Sequence, residues 1–216
     1  MALRYDPEDA ANAGEALSAL RRFARPQAKL ERCELCSAPL NQSHQHLLDR
    51  KTRQIACACD GCTILFCGQE GGKFLRIPRR IRRLEDFSLS DLEWEAMMLP
   101  INLAFFLRDA NGRISALYPS PAGAIDSQID LSTLDHGSLG DVLRAIEPEV
   151  EAVLINRICE VHATFVIPLD ECYRLVGIVK TKWRGLSGGS EVWTAIQGFF
   201  QDVDARASGA LQVHHA

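Results

Sequence analysis

Apolar positions recur along this chain with two different periods. In "PEDAANAGEALSALRRFARP", Ala13, Ala16, Leu17, Leu20 and Phe23 fall three or four apart and Pro26 ends the run, which predicts an amphipathic helix from Pro7 to Ala24. Val192, Trp193, Ile196, Phe199, Phe200 and Val203 trace a second helical stripe beginning near Ser190. "DECYRLVGIVKTKWRG" reads as a helix between Asp170 as N-cap and Gly185 as its C-terminal stop, although "RLVGIV" alone also fits a strand. "SDLEWEAMM" opens on a capping box, Ser90 with Glu93, and ends before Pro100. "SLGDVLRAI" and "PEVEAVLINRI" predict two further helices, the second with Pro148 in its first turn.

The other segments alternate or are β-rich. "QHLLD" and "RQIACAC" predict short strands, "HATFVIPL" a longer one. "INLAFFL" and "RISALYP" predict a hairpin around "RDANG", where Asn111-Gly112 favours positive φ. Tyr118, Pro119, Ser120, Pro121 and Gly123 predict a rigid turn. "KFLRIPRRIRRLEDF", interrupted by Pro78, has room for a strand but not for a long helix.

The fold class expected is α+β, with a small zinc-ribbon module inserted between an N-terminal helix and a mixed α+β domain. The boundaries are a helical arm at 1–28, the ribbon at 29–72, a basic connector at 73–88, the α+β domain at 89–208 and a disordered tail at 209–216. A length of 216 residues suits this plan, and 47% hydrophobic residues suffice for a core. No run of about 18 uncharged apolar residues and no basic-then-apolar leader is present, so the expected location is the cytoplasm, without a membrane span. Thiols stay reduced there, which argues against a disulfide frame.

The thiols carry the most specific pattern. Cys33 and Cys36 form one CxxC pair, Cys59 and Cys62 another, with 22 residues between them. Two residues between cysteines let a tight turn aim both sulfurs at one point, and two such turns facing each other build a tetrahedral four-thiolate site. The expected ligands are Cys33, Cys36, Cys59 and Cys62, and the expected ion is structural zinc. Cys57 lies two positions before Cys59 and could replace it, while Cys67, His44 and His46 are further alternates. Four thiolates also suit iron, but neither pair is followed by the glycine of a rubredoxin: Ser37 and Thr63 stand there.

Charge divides the chain. Residues 29–83 hold 11 basic and 5 acidic residues against a net −4 for the whole, so a basic cysteine-rich segment sits in an acidic protein. Arg76, Arg79, Arg80, Arg82 and Arg83 are the candidate partner-binding residues. Guanidinium groups beside a zinc ribbon also fit nucleic-acid phosphates, or the acidic remainder of this same chain. No aromatic stacking platform interleaves with the arginines, so nucleic acid is the less favoured partner.

"WRGLSGGSEVW" places Gly188, Gly189 and Ser190 at a helix start, where free amides can bind an anion, but it lacks the P-loop ending. A cap and sharp turn is the simpler reading. A Cys159–His162 nucleophile pair has neither an orienting group nor an oxyanion hole in view, and Ser120 lacks a nucleophile-elbow setting. No enzyme is expected.

"CELCSAPL", "HQHLLD", "CACDGC", "YPSPAGA", "PLDECYRLVG" and "WRGLSGGSEVW" together resemble a bacterial family without an assigned activity, over residues 30–205. Its members are commonly encoded beside high-affinity, actinobacterial-type NiFe hydrogenases. The resemblance implies a role in assembly or maturation of the hydrogenase, or an accessory contact with its subunits, with Cys33, Cys36, Cys59 and Cys62 as metal ligands. The expected function is therefore a non-enzymatic metal-binding accessory protein whose partners are hydrogenase subunits or maturation factors. A rubredoxin-like iron electron-transfer protein and a zinc-ribbon nucleic-acid regulator are the rivals.

Overall fold

The computed structural model describes residues 31–68, 71–87, 89–127, 137–158 and 162–207. The helix expected at Pro7–Ala24, and with it the helical arm, lies outside the described residues, as do Cys159 and the 209–216 tail. The fold is α+β, with two antiparallel sheets.

The smaller sheet has the order β2-β1-β3, from Gln45–Asp49 (β1), Ile55–Ala58 (β2) and Phe74–Arg76 (β3). Between β2 and β3 lies α1 (Asp60–Phe66). The larger sheet has six strands in the order β4-β9-β8-β5-β6-β7: Arg82–Arg83 (β4), Leu103–Arg108 (β5), Ile114–Ser120 (β6), Gly123–Asp126 (β7), Glu151–Asn156 (β8) and Ala163–Pro168 (β9). Helices α2 (Asp91–Ala96) and α3 (Ser138–Ala145) belong to the core on one face, α4 (Leu169–Lys182) and α5 (Gly189–Arg206) to the core on the other.

The period-two geometry of strands explains both cores. Leu103, Phe105 and Leu107 of β5, with Ala152 and Leu154 of β8, face α4 and α5. Ala104 and Phe106, with Val153 and Ile155, face α2 and α3. A central strand covered on both faces shows no polar alternation, and this is why "PEVEAVLINRI" mimics a helix. It is instead the wholly buried β8, paired with β5 and β9.

Three other details depart from expectation. The β5–β6 hairpin forms, but only Gly112 takes positive φ (87°), and the Asp109 carboxylate accepts the Asn111 and Arg113 amides. "YPSPAGA" is mostly strand, since β6 runs to Ser120 and turns at once into β7. Helix α4 starts one residue before Asp170, with Pro168 as N-cap, which leaves the Asp170 carboxylate free for another partner.

Strand β1 belongs to two cores at once. Leu47 packs with Cys33, Leu40, Ala58 and Cys62, while the next residue, Leu48, packs with Ile77, Ile81, Leu103 and Phe105. Ion pairs reinforce this join. The carboxylate of Glu149 receives Arg53 at 2.6 Å and Arg50 at 3.2 Å from the β1–β2 turn.

Candidate metal centre

Cys33 and Cys36 sit in a turn closed by an Arg32–Pro39 bridge and by the Cys33 amide donating to Ala38 O at 2.8 Å. Cys59 is the N-cap of α1, and its Sγ accepts the Cys62 amide at 3.4 Å. N-cap and N3 side chains lie on the same side of a helix start, so the second CxxC aims both sulfurs together. This corrects the two-turn ribbon: the second pair of sulfurs comes from a helix N-terminus.

The four Sγ atoms of Cys33, Cys36, Cys59 and Cys62 all lie within 4.8 Å of one another, with Cys36 and Cys59 3.7 Å apart. Tetrahedral thiolates bonded at about 2.3 Å stand about 3.8 Å apart, so the donor set and spacing fit one metal ion. A cluster would hold thiolates on separate irons farther apart.

The thiols differ in how readily they lose a proton. Burial works against the Cys33 thiolate, yet backbone amides of Cys59, Leu35 and Cys36 outweigh it and bring its pKa down to about 6. Burial, then the neighbouring thiols, push Cys62 up to about 12. The Ala38 amide favours the Cys36 thiolate, but the Cys33 and Cys59 thiols leave it above its ordinary value. Cys33 thus offers a ready thiolate, while Cys36 and Cys62 give up their protons only against a cation, as thiols of a metal site do.

The alternates fall elsewhere. Cys57 lies opposite His46 across β2 and β1, and its Sγ groups with His44 and His46, not with the four sulfurs, among which Cys59 stands. Cys67 caps the C-terminus of α1 and packs against the small core. His46 Nδ1 lies 2.5 Å from Asp170 Oδ2, a hydrogen bond that raises the His46 pKa despite partial burial. His44 Nδ1 lies 3.0 Å from Asn41 O. Asp170 reads as a helix cap in sequence, so its role as partner to a loop histidine carries no local signal.

The arginine run is largely engaged within the chain. Arg80 binds Glu147 and Glu151, Arg82 binds Glu151, and Arg83 binds Asp204 at 2.5 Å. These three are ion-paired with acidic residues of the same chain, the pairing that the charge contrast also suggested. Arg76 donates to Gln45 Oε1 and Arg79 to Ser43 Oγ and His44 O. At the glycine turn, Gly188 is the α5 N-cap, and Glu191 in the first turn, paired with Lys182, already supplies negative charge there. Gly189 and Ser190 are exposed, and the cap-and-turn reading accounts for all three positions. His162 is exposed just before β9.

Fold and site together define an α+β protein with a four-cysteine cluster suited to a metal ion. The chain belongs to DUF5947, a family of unknown function, whose match covers residues 32–207 and so all four cysteines. No curated protein and no solved structure matches it. Among the described residues, no helix is long and apolar enough to cross a membrane.

Proposed function

We propose that the protein is a non-enzymatic accessory factor whose four-sulfur zinc site fixes a docking module for a protein partner in a bacterial NiFe hydrogenase system. It acts in the cytoplasm, in assembly or maturation of that enzyme or in lasting contact with its subunits. The observation that carries this reading is the convergence of four cysteine sulfurs within 4.8 Å. Four thiolates fill a tetrahedral ion's coordination and leave no position for substrate, so the ion scaffolds.

What it scaffolds is α1, whose N-cap and first turn are ligands. That helix carries Ile64, Leu65 and Phe66 at 78%, 68% and 46% exposure. A run of exposed apolar side chains on a metal-anchored helix supports partner contact better than arginines already neutralised by Glu147, Glu151 and Asp204. The hydrogenase system rests on the resemblance of the cysteine, glycine-turn and "PLDECYRLVG" motifs.

Affinity purification of the tagged chain from its native host is expected to recover hydrogenase subunits or maturation factors. Recovery of ribosomal or nucleic-acid components alone would overturn the assignment. An iron ion at the same sulfurs is the competing reading, favoured by the exposure of Cys36, which brings one ligand to the surface. Colour separates the two, because a ferric four-thiolate site absorbs visible light and a zinc site does not.

A further inference from the structure

His44 and His46 project from one side of β1 and its approach, and Cys57 is the cross-strand partner of His46. The Nε2 atoms of the two histidines are 3.2 Å apart. Each ring's other nitrogen already faces an acceptor: His46 Nδ1 meets the Asp170 carboxylate at 2.5 Å, and His44 Nδ1 meets Asn41 O at 3.0 Å with Glu31 Oε2 at 3.5 Å. Carboxylate and carbonyl oxygens accept only, so both Nδ1 atoms must donate. In neutral imidazoles that leaves two Nε2 lone pairs pointing at each other, a repulsion that a cation between them relieves, whether a metal ion or a shared proton.

The geometry points to a second metal site, separate from the four-sulfur site, made of His44 Nε2, His46 Nε2 and Cys57 Sγ, with an open fourth position. Ligand atoms of these three residues all lie within 4.8 Å of one another. Two imidazoles bound tetrahedrally at about 2.0–2.1 Å hold their nitrogens about 3.3 Å apart, close to the observed spacing. A carboxylate or carbonyl on the far nitrogen is the usual orienting device for metal-bound histidine. Two imidazoles and a thiolate select zinc or another late first-row ion over calcium or magnesium.

A cleft of about 390 Å³ adjoins the histidines, bordered by Ser43, Pro78, Arg79, Pro168 and Arg206. Three protein ligands beside a cleft make a site that water or a small anion completes, and one that exchanges its ion more readily than a closed four-thiolate site. The protein thus carries one ion that is fixed and one that comes and goes.

The test is metal counting on the whole chain, stripped of metal under reducing conditions and titrated with Zn²⁺. Two equivalents are expected, the second withdrawn by a weak chelator. The double variant His44→Gln with His46→Gln should bind one equivalent, held as tightly as the first in the parent. A double variant that binds as many equivalents as the parent overturns the proposal.

Co²⁺ gives a readout that needs no variant. Its second equivalent should shift the imidazole proton resonances of both histidines, and unmoved resonances would mean that a proton bridges the rings instead. The first equivalent reports on the four sulfurs independently, so failure there would not count against the histidine site.

Discussion

Arg80 Nε donates to Glu151 Oε1 across 2.8 Å, and the carboxylate it meets is wholly shut off from solvent. Glu151 opens β8, at the centre of the large sheet, and also accepts the Glu147 amide at 2.9 Å and Arg82 at 3.2 Å. The arginine segment that looks like a surface for another molecule is thus bound to the heart of its own fold. The contrast between a basic module and an acidic domain is a design for holding the two together. His46 with Asp170, and Arg50 and Arg53 with Glu149, repeat it.

Removing that carboxylate should be costly. Glu151→Ala leaves Arg82 half-buried without its partner, and breaking one side of a buried pair costs about 3–5 kcal/mol. Arg80 is about half exposed and can relax into water, which puts the expected loss at the low end. Glu151→Gln retains hydrogen-bonding capacity and should lose less. Denaturant titration of both variants checks the order.

The same residue predicts an acid limb. Burial opposes ionisation of Glu151, but Arg80, the Glu147 amide and Arg82 together hold its pKa below the ordinary glutamate value. A carboxyl with a lower pKa folded than unfolded contributes fully above its unfolded pKa, about 4.3. That contribution is lost as pH falls through the folded value. Stability of the parent should therefore fall more steeply than that of Glu151→Gln below about pH 4.3. Parallel curves would mean that Glu151 has no linked role.

Much of this was legible in sequence, and the failures share a physical cause. A capping box announces α2 and an apolar stripe α5, because these are properties of neighbouring residues, whereas α4 forms where expected without Asp170 or Gly185 as its caps. The CxxC spacing announces four sulfurs for the same reason. β8 is misleading, since burial on both faces erases the alternation that marks a strand and Pro148 imitates a helix start. Partners far apart in the chain, such as Asp170 for His46 or Glu151 for Arg80, are products of topology, and no local pattern encodes them.

Leu47 and Leu48 offer a test of the shared strand. Each replacement by alanine should cost about 2–5 kcal/mol, because both side chains are fully buried. The consequences should differ in kind. Leu47→Ala loosens the core around Cys33 and Cys62 and should speed metal release. Leu48→Ala opens the core between Ile77 and Phe105 and should lower the main thermal transition with little change in metal affinity. Chelator-transfer rates and calorimetry on the two variants separate these effects.

Gly188 and Gly189 should respond unequally to alanine. Both have positive φ, 86° and 74°. A Cβ at Gly188 would also stand 2.9 Å from Val192 Cγ1 and 3.1 Å from Trp183 Cε3, whereas at Gly189 the nearest atom is 3.8 Å away. Gly189→Ala should cost about 1 kcal/mol from backbone strain alone. Gly188→Ala should cost distinctly more, with the Trp183 fluorescence altered as the ring is displaced. Equal losses would mean that packing at Trp183 yields freely.

Metal removal tests the central reading most directly. The core around the four sulfurs is small: Cys33, Leu40, Leu47, Ala58 and Cys62 are its buried members, and two of these are ligands. Such a core cannot hold a module by burial alone, so the ion should supply most of the order, on the order of 10 kcal/mol for a structural zinc site. Cys62→Ser, at a buried position in the first turn of α1, should abolish binding and expose residues 31–76 to proteolysis. Cys36→Ser, at the exposed edge, should weaken binding more than it disturbs the fold. The large sheet should survive both, because β4–β9 and α2–α5 bury their own cores on either face. Limited proteolysis with metal analysis reads both effects. A Cys62→Ser variant with full metal content and an uncut module would remove the four-sulfur site from the account of this protein.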